Sequence, residues 1–121
     1  MDKWQTIHSF WSSFGIPAYD ESSVPDNAVM PYITYSASIS SFEKPIPLTA
    51  SIWYNSTSWE DASKKSEEIE RRLSSYAIIG MGDGEYLFLT QGDLFAQRAY
   101  SEDDRVKRIY LNVMAEYFSA H

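Results

Sequence analysis

The sequence predicts an α+β fold, a mostly antiparallel sheet with two helices packed on one face, and three stretches carry that prediction. Between Met30 and Asn55, two runs alternate apolar and hydroxyl-bearing residues. An amphipathic helical pattern precedes them and a charged one follows. A long apolar strand closes the chain, so the expected order is helix, two strands, helix and three further strands.

The first helix is predicted from about Asp2 to Phe14. Trp4, Ile7, Trp11 and Phe14 recur at three- and four-residue steps, and Phe10 widens the stripe. Gly15 and Pro17 supply a stop. Ile16 to Pro31 follows as a proline-punctuated connector, long enough to hide a short strand at Ala18–Tyr19 or Ala28–Met30.

In the first expected strand Ile33, Tyr35, Ala37 and Ile39 alternate with Thr34, Ser36, Ser38 and Ser40. In the second, Leu48, Ala50, Ile52 and Tyr54 alternate with Thr49, Ser51, Trp53 and Asn55. Successive side chains point to opposite faces, so each strand has one core face, and Trp53 lies on the wrong side of its strand. The connector Ser41 to Pro47 exceeds a tight turn. Its Phe42 and Ile46 either fold back on the sheet edge or belong to an arm that orders against a partner.

The second helix is expected from about Trp59 to Ser74, with Ser58 as N-cap and a buried stripe of Trp59, Ala62, Ser66, Ile69 and Leu73. Glu60 with Lys64, Asp61 with Lys65, Glu67 with Arg71 and Glu68 with Arg72 are acid-then-base pairs one turn apart, the mark of a wet face. Tyr76–Met81 and Glu85–Gln91 flank Gly82, Asp83 and Gly84 as a hairpin, and Phe95–Tyr100 reads as a further piece. The last strand runs from about Arg105 to Phe118. Ile109, Leu111, Val113, Ala115 and Tyr117 share one face; Arg108, Tyr110, Asn112, Met114, Glu116 and Phe118 share the other. Large apolar groups on both sides imply a double cover or a contact with another chain.

A chain of 121 residues predicts one domain spanning 1–121. Seventeen acidic against ten basic residues give a net charge of -7, which argues against a sequence-specific nucleic-acid binder but not against an acidic wall lining a DNA conduit. The absence of cysteine removes disulfides and thiolate chemistry. The amino terminus lacks the apolar core of a signal peptide, and no run approaches the roughly 18–20 residues of a membrane helix, so no membrane partner is expected.

Chemical motifs are sparse. His8 beside Ser9 lacks a third partner, Glu102, Asp103 and Asp104 lack the ligand spacing of a calcium loop, and the glycines 80, 82 and 84 precede a strand instead of the helix a phosphate loop needs. No enzyme activity, metal or cofactor is therefore expected. What remains is surface suited to protein contacts: Trp53, the loop residues Phe42 and Ile46, and Tyr110, Met114 and Phe118 on the last strand.

The succession P-Y-I-T-Y-S, a loop, S-I-W-Y-N-S, a charged helix and a closing R-I-Y-L-N-V-M-A-E-Y-F resembles the tail-terminator (tail-completion) proteins of long-tailed bacteriophages. The resemblance implies a structural virion protein, made in the host cytoplasm and located in the tail. It implies a homohexameric ring that stops tail-tube growth and joins the tail to the head connector. The expected partners are further copies of itself, the tail-tube protein and the head–tail connector protein. Contacts are then expected at the arm (Phe42, Glu43, Lys44 and Ile46), at the turns (Asp83, Glu85 and Asp103), and at Trp53, Tyr110, Met114 and Phe118. Two alternatives share this architecture: another phage neck or head–tail joining component, and a small non-viral protein-binding adaptor.

Overall fold

The computed structural model describes residues 2–36, 46–74 and 76–119. Its elements are α1 (Lys3–Ser12), β1 (Ala18–Asp20), β2 (Tyr32–Tyr35), β3 (Ile46–Asn55), α2 (Glu60–Arg72), β4 (Ala77–Gly82), β5 (Glu85–Ala99) and β6 (Val106–Ser119). The fold is α+β as expected, but the order is helix, three strands, helix, three strands. One added strand accounts for the order, and a second difference lies within β5. The connector contains β1, which pairs parallel with β2. The stretches 85–91 and 95–100, read as separate pieces, are one strand interrupted by a bulge between Gln91 and Ala96.

All six strands form one sheet in the order β1-β2-β3-β6-β5-β4, antiparallel except for the first pair. β6 is central because it is long enough to pair with β3 along one edge and β5 along the other. Ile109, Leu111, Val113 and Ala115 of β6 are buried with Leu48, Ala50 and Ile52 of β3 and Leu87 and Leu89 of β5. The helices pack on this face.

α1 begins with a capping box. The Asp2 carboxylate accepts from the Gln5 amide at 2.8 Å, and the Gln5 side chain accepts from Asp2 N–H at 3.0 Å. The helix buries Ile7, Phe10 and Trp11, with Phe14 just beyond it. Trp4, assigned to this stripe, is instead 51% exposed. The buried stripe follows 7-10-11-14, which turns the first-turn tryptophan away from the sheet. Trp11, Ile7 and Phe10 meet Leu48, Leu89 and Val113.

α2 buries Ala62, Ser66 and Ile69, with Leu73 at its C-cap. Of its four expected ion pairs only Glu60–Lys64 forms, at 3.1 Å. Lys65 bonds Glu68 at 2.9 Å and the Phe14 carbonyl at 2.6 Å, and Arg72 donates to Ser13 Oγ at 3.2 Å. Both cations reach the segment that ends α1, whose terminal carbonyls and hydroxyls lack helical partners, and Lys65 also keeps a bond within its own helix.

The β4–β5 turn places Asp83 (φ 55) and Gly84 (φ 75) in the left-handed region, the geometry of a two-residue hairpin.

Candidate functional site: the helix-free face of the sheet

The residues opposite the core form a second surface, over which no helix lies among the described residues. Register brings Tyr32, Trp53 and Arg108 side by side on β2, β3 and β6, and Thr34, Ser51 and Tyr110 beside them. The Trp53 indole N–H donates to Thr34 Oγ1 at 2.9 Å, and Arg108 Nε donates to Ser51 Oγ at 2.9 Å. The Arg108 guanidinium stands 4.5 Å from the Trp53 ring centroid and 5.7 Å from that of Tyr110. Tyr32 flanks Trp53 at 6.3 Å, and Tyr19 of β1 flanks Tyr32 at 5.7 Å. Each cation–π contact is worth about 0.5–1 kcal/mol at an exposed site, and each aromatic pair about 0.5–1.5 kcal/mol. The row therefore fixes its own rotamers. Arg108 is held as a planar donor whose terminal nitrogens are not committed to a carboxylate among the described residues.

A second cluster occupies the other end of the face. Tyr76 stacks on Phe88 at 5.1 Å, and Phe118 meets Phe88 edge-on at 5.9 Å. Ile78 lies across from Phe88, and Tyr86 across from Phe118. Tyr76, Ile78, Tyr86 and Phe118 are 43–56% exposed. Met114, paired with Pro47 and Thr90, lies between the clusters. Together with Phe88, the side chains of Tyr76, Ile78, Tyr86 and Phe118 form a contiguous apolar patch on the outer face.

Trp53, Tyr110, Met114 and Phe118 thus share one face, as their alternation predicts. Phe42, Glu43 and Lys44 lie outside the described residues. Ile46, assigned to the arm, is the first residue of β3, pairs with Ala115 and packs against the core. Its strand begins earlier because β6 extends far enough to receive it. Asp83 sits at the tip of the β4–β5 hairpin. Glu85 follows it and raises the pKa of the Tyr117 hydroxyl, chiefly by a hydrogen bond. Asp103 is at the far end, in the turn before β6, where its carboxylate accepts the Arg105 amide at 2.9 Å and has its pKa lowered mainly by that bond. β6, 14 residues long, separates these turns by about 45 Å if straight.

Sequence reasoning did not single out Arg108, Tyr32, Tyr76, Ile78 or Tyr86. Alternation assigns Arg108 to the correct face, but only the register puts it on Trp53.

His8 has partners the sequence does not suggest. Its Nδ1 is 2.8 Å from the Tyr35 hydroxyl and its Nε2 is 3.3 Å from Ser12 Oγ, so the neighbouring serine is Ser12, one turn on, and not Ser9. The trio joins α1 to β2. Among the described residues no group of three or more metal-ligating side chains converges, and no helix is long and apolar enough to cross a membrane.

No protein-family model, curated protein or solved structure matches the chain.

Proposed function

We propose that this protein is a structural bacteriophage tail component that assembles into a ring, ends tail-tube growth and joins the tail to the head connector. The observation that carries this reading is the helix-free face, with its locked Tyr32–Trp53–Arg108–Tyr110 row and its exposed Tyr76, Ile78, Tyr86 and Phe118. Aromatics, Met and Arg concentrate where protein interfaces take their energy. A heterologous contact through such a face closes into a ring when the rotation permits. The hairpin tip at Asp83 and the turn at Asp103, at opposite ends of the sheet, would then face different neighbours, the tail tube and the head connector. The resemblance in the strand and helix succession points the same way. The ring would be homohexameric, and the protein non-enzymatic and without a cofactor.

Removing the gene from its phage tests the proposal. The expected outcome is tails of unregulated length that fail to join heads. Tails of normal length on filled heads would overturn it. The purified protein is expected to give a discrete ring-sized mass by light scattering over a wide concentration range.

A further inference from the structure

The two edges of the sheet differ in a way that matters for binding. β1 is three residues long, and its terminal Asp20 is folded onto Ser22, whose amide and hydroxyl donate to the carboxylate at 2.9 and 2.7 Å. Short length and charge are the usual protections of an edge. β4 has neither. Its six residues, A-I-I-G-M-G, carry no charge and no proline, and among the described residues it ends the sheet with β5 as its one neighbour. Its regular run, Ala77–Gly80, about 13 Å before the bulge between Gly80 and Gly82, presents an outer row of backbone donors and acceptors that matches another extended backbone.

Beside this edge lies a cleft of about 430 Å³ between α1, the end of α2 and β4. Phe10 and Ile79 supply apolar wall, and Arg72 stands at its rim. The Arg72 guanidinium is stacked 4.8 Å from the Phe14 ring centroid and tethered to Ser13 Oγ, yet no carboxylate pairs with it among the described residues. In a chain of net charge -7, a positioned cation without a counter-ion is complementary to an acidic group from outside. The cleft is where the core-facing side chains of a seventh strand would enter.

We propose that β4 accepts a further strand from another protein: an extended acidic segment with an apolar side chain entering the cleft and, two residues on, a carboxylate pairing with Arg72. Residues two apart on a strand share a face, so one segment can meet both requirements. The inference stands on the edge and the cleft alone, and holds for a tail component and an adaptor alike.

The test is a titration of the full chain, labelled with nitrogen-15, with an acetylated and amidated peptide in which threonine alternates with valine, valine and glutamate. Shifts are expected in the amides of 76–82 and in Arg72 Nε. Replacing the peptide glutamate by glutamine should weaken binding about 5-fold, and R72Q should abolish that difference. N-methylating the peptide amides along one edge should abolish binding, while methylating the other edge should leave it intact. Absence of shifts at low millimolar peptide, shifts confined to Trp53 and Phe118, or indifference to the edge methylated would each overturn the proposal.

Discussion

Gly92 shows how much one residue can decide. A Cβ built there would lie 2.9 Å from Asn112 Cβ and 3.0 Å from its carbonyl oxygen, inside the β5 bulge. The obstruction includes backbone, which cannot swing aside, so Gly92→Ala is expected to cost about 1–3 kcal/mol, read as a lower urea midpoint. Arg108 acts through shape. Lysine keeps the charge but loses both the Nε bond to Ser51 and the flat stack on Trp53. The tyrosines set an alkaline limit. Burial raises the hydroxyl pKa of Tyr35 and Tyr54 above the ordinary 10.0, with Asp20 adding to the first and Asp61 and Glu68 to the second. The folded state therefore holds these protons longer than the unfolded chain. Their contribution is complete below pH 10.0 and is lost as pH rises through the folded-state values. Thermal melts from pH 9 upward should show this decline, and Tyr54→Phe should flatten it.

At the scale of elements, α1 depends on a tertiary anchor and a local one. Trp11 is 1% exposed and packs where Leu48, Leu89 and Val113 meet, so Trp11→Ala should remove about 3–5 kcal/mol. Asp2→Ala removes only the cap and should cost about 1 kcal/mol, visible as fraying of the first turn in amide exchange. β6 is the element on which both faces depend. Its odd residues Ile109 to Ala115 serve the core and its even residues the outer clusters, so the outer face can be altered without unfolding. Phe118→Asp tests this: Phe118 is 48% exposed, and the change should abolish the proposed self-association on a sizing column while shifting the melting temperature little.

At the scale of the molecule, charge opposes assembly. In the proposed ring each subunit would carry -7, so copies brought face to face would repel one another at low ionic strength. Self-association is expected to tighten as salt or magnesium is added, measured by sedimentation across ionic strengths. A dissociation constant indifferent to both would remove electrostatic control from the assembly reading.

Local patterns alone were enough for much of this molecule. Alternation placed Ile109, Leu111 and Val113 in the core and Tyr110, Met114 and Phe118 on the opposite side, because side-chain direction on a strand follows from sequence spacing. Helical spacing found Ile7, Trp11, Ala62 and Ile69 for the same kind of reason. What depends on contacts distant in sequence was not legible. Trp4 fits the helical stripe, yet it is exposed because the docked face of α1 is centred on Ile7, Phe10, Trp11 and Phe14. Ile46 reads as loop, yet it is strand because Ala115 lies opposite. The connector left two places for a short strand, Ala18–Tyr19 and Ala28–Met30, and β1 forms at the first, where β2 offers it a parallel edge. The Arg108–Trp53 stack, the Arg72 cleft and the edge position of β4 belong to the same class. Each joins residues that no local spacing relates, and only strand register and helix docking bring them together.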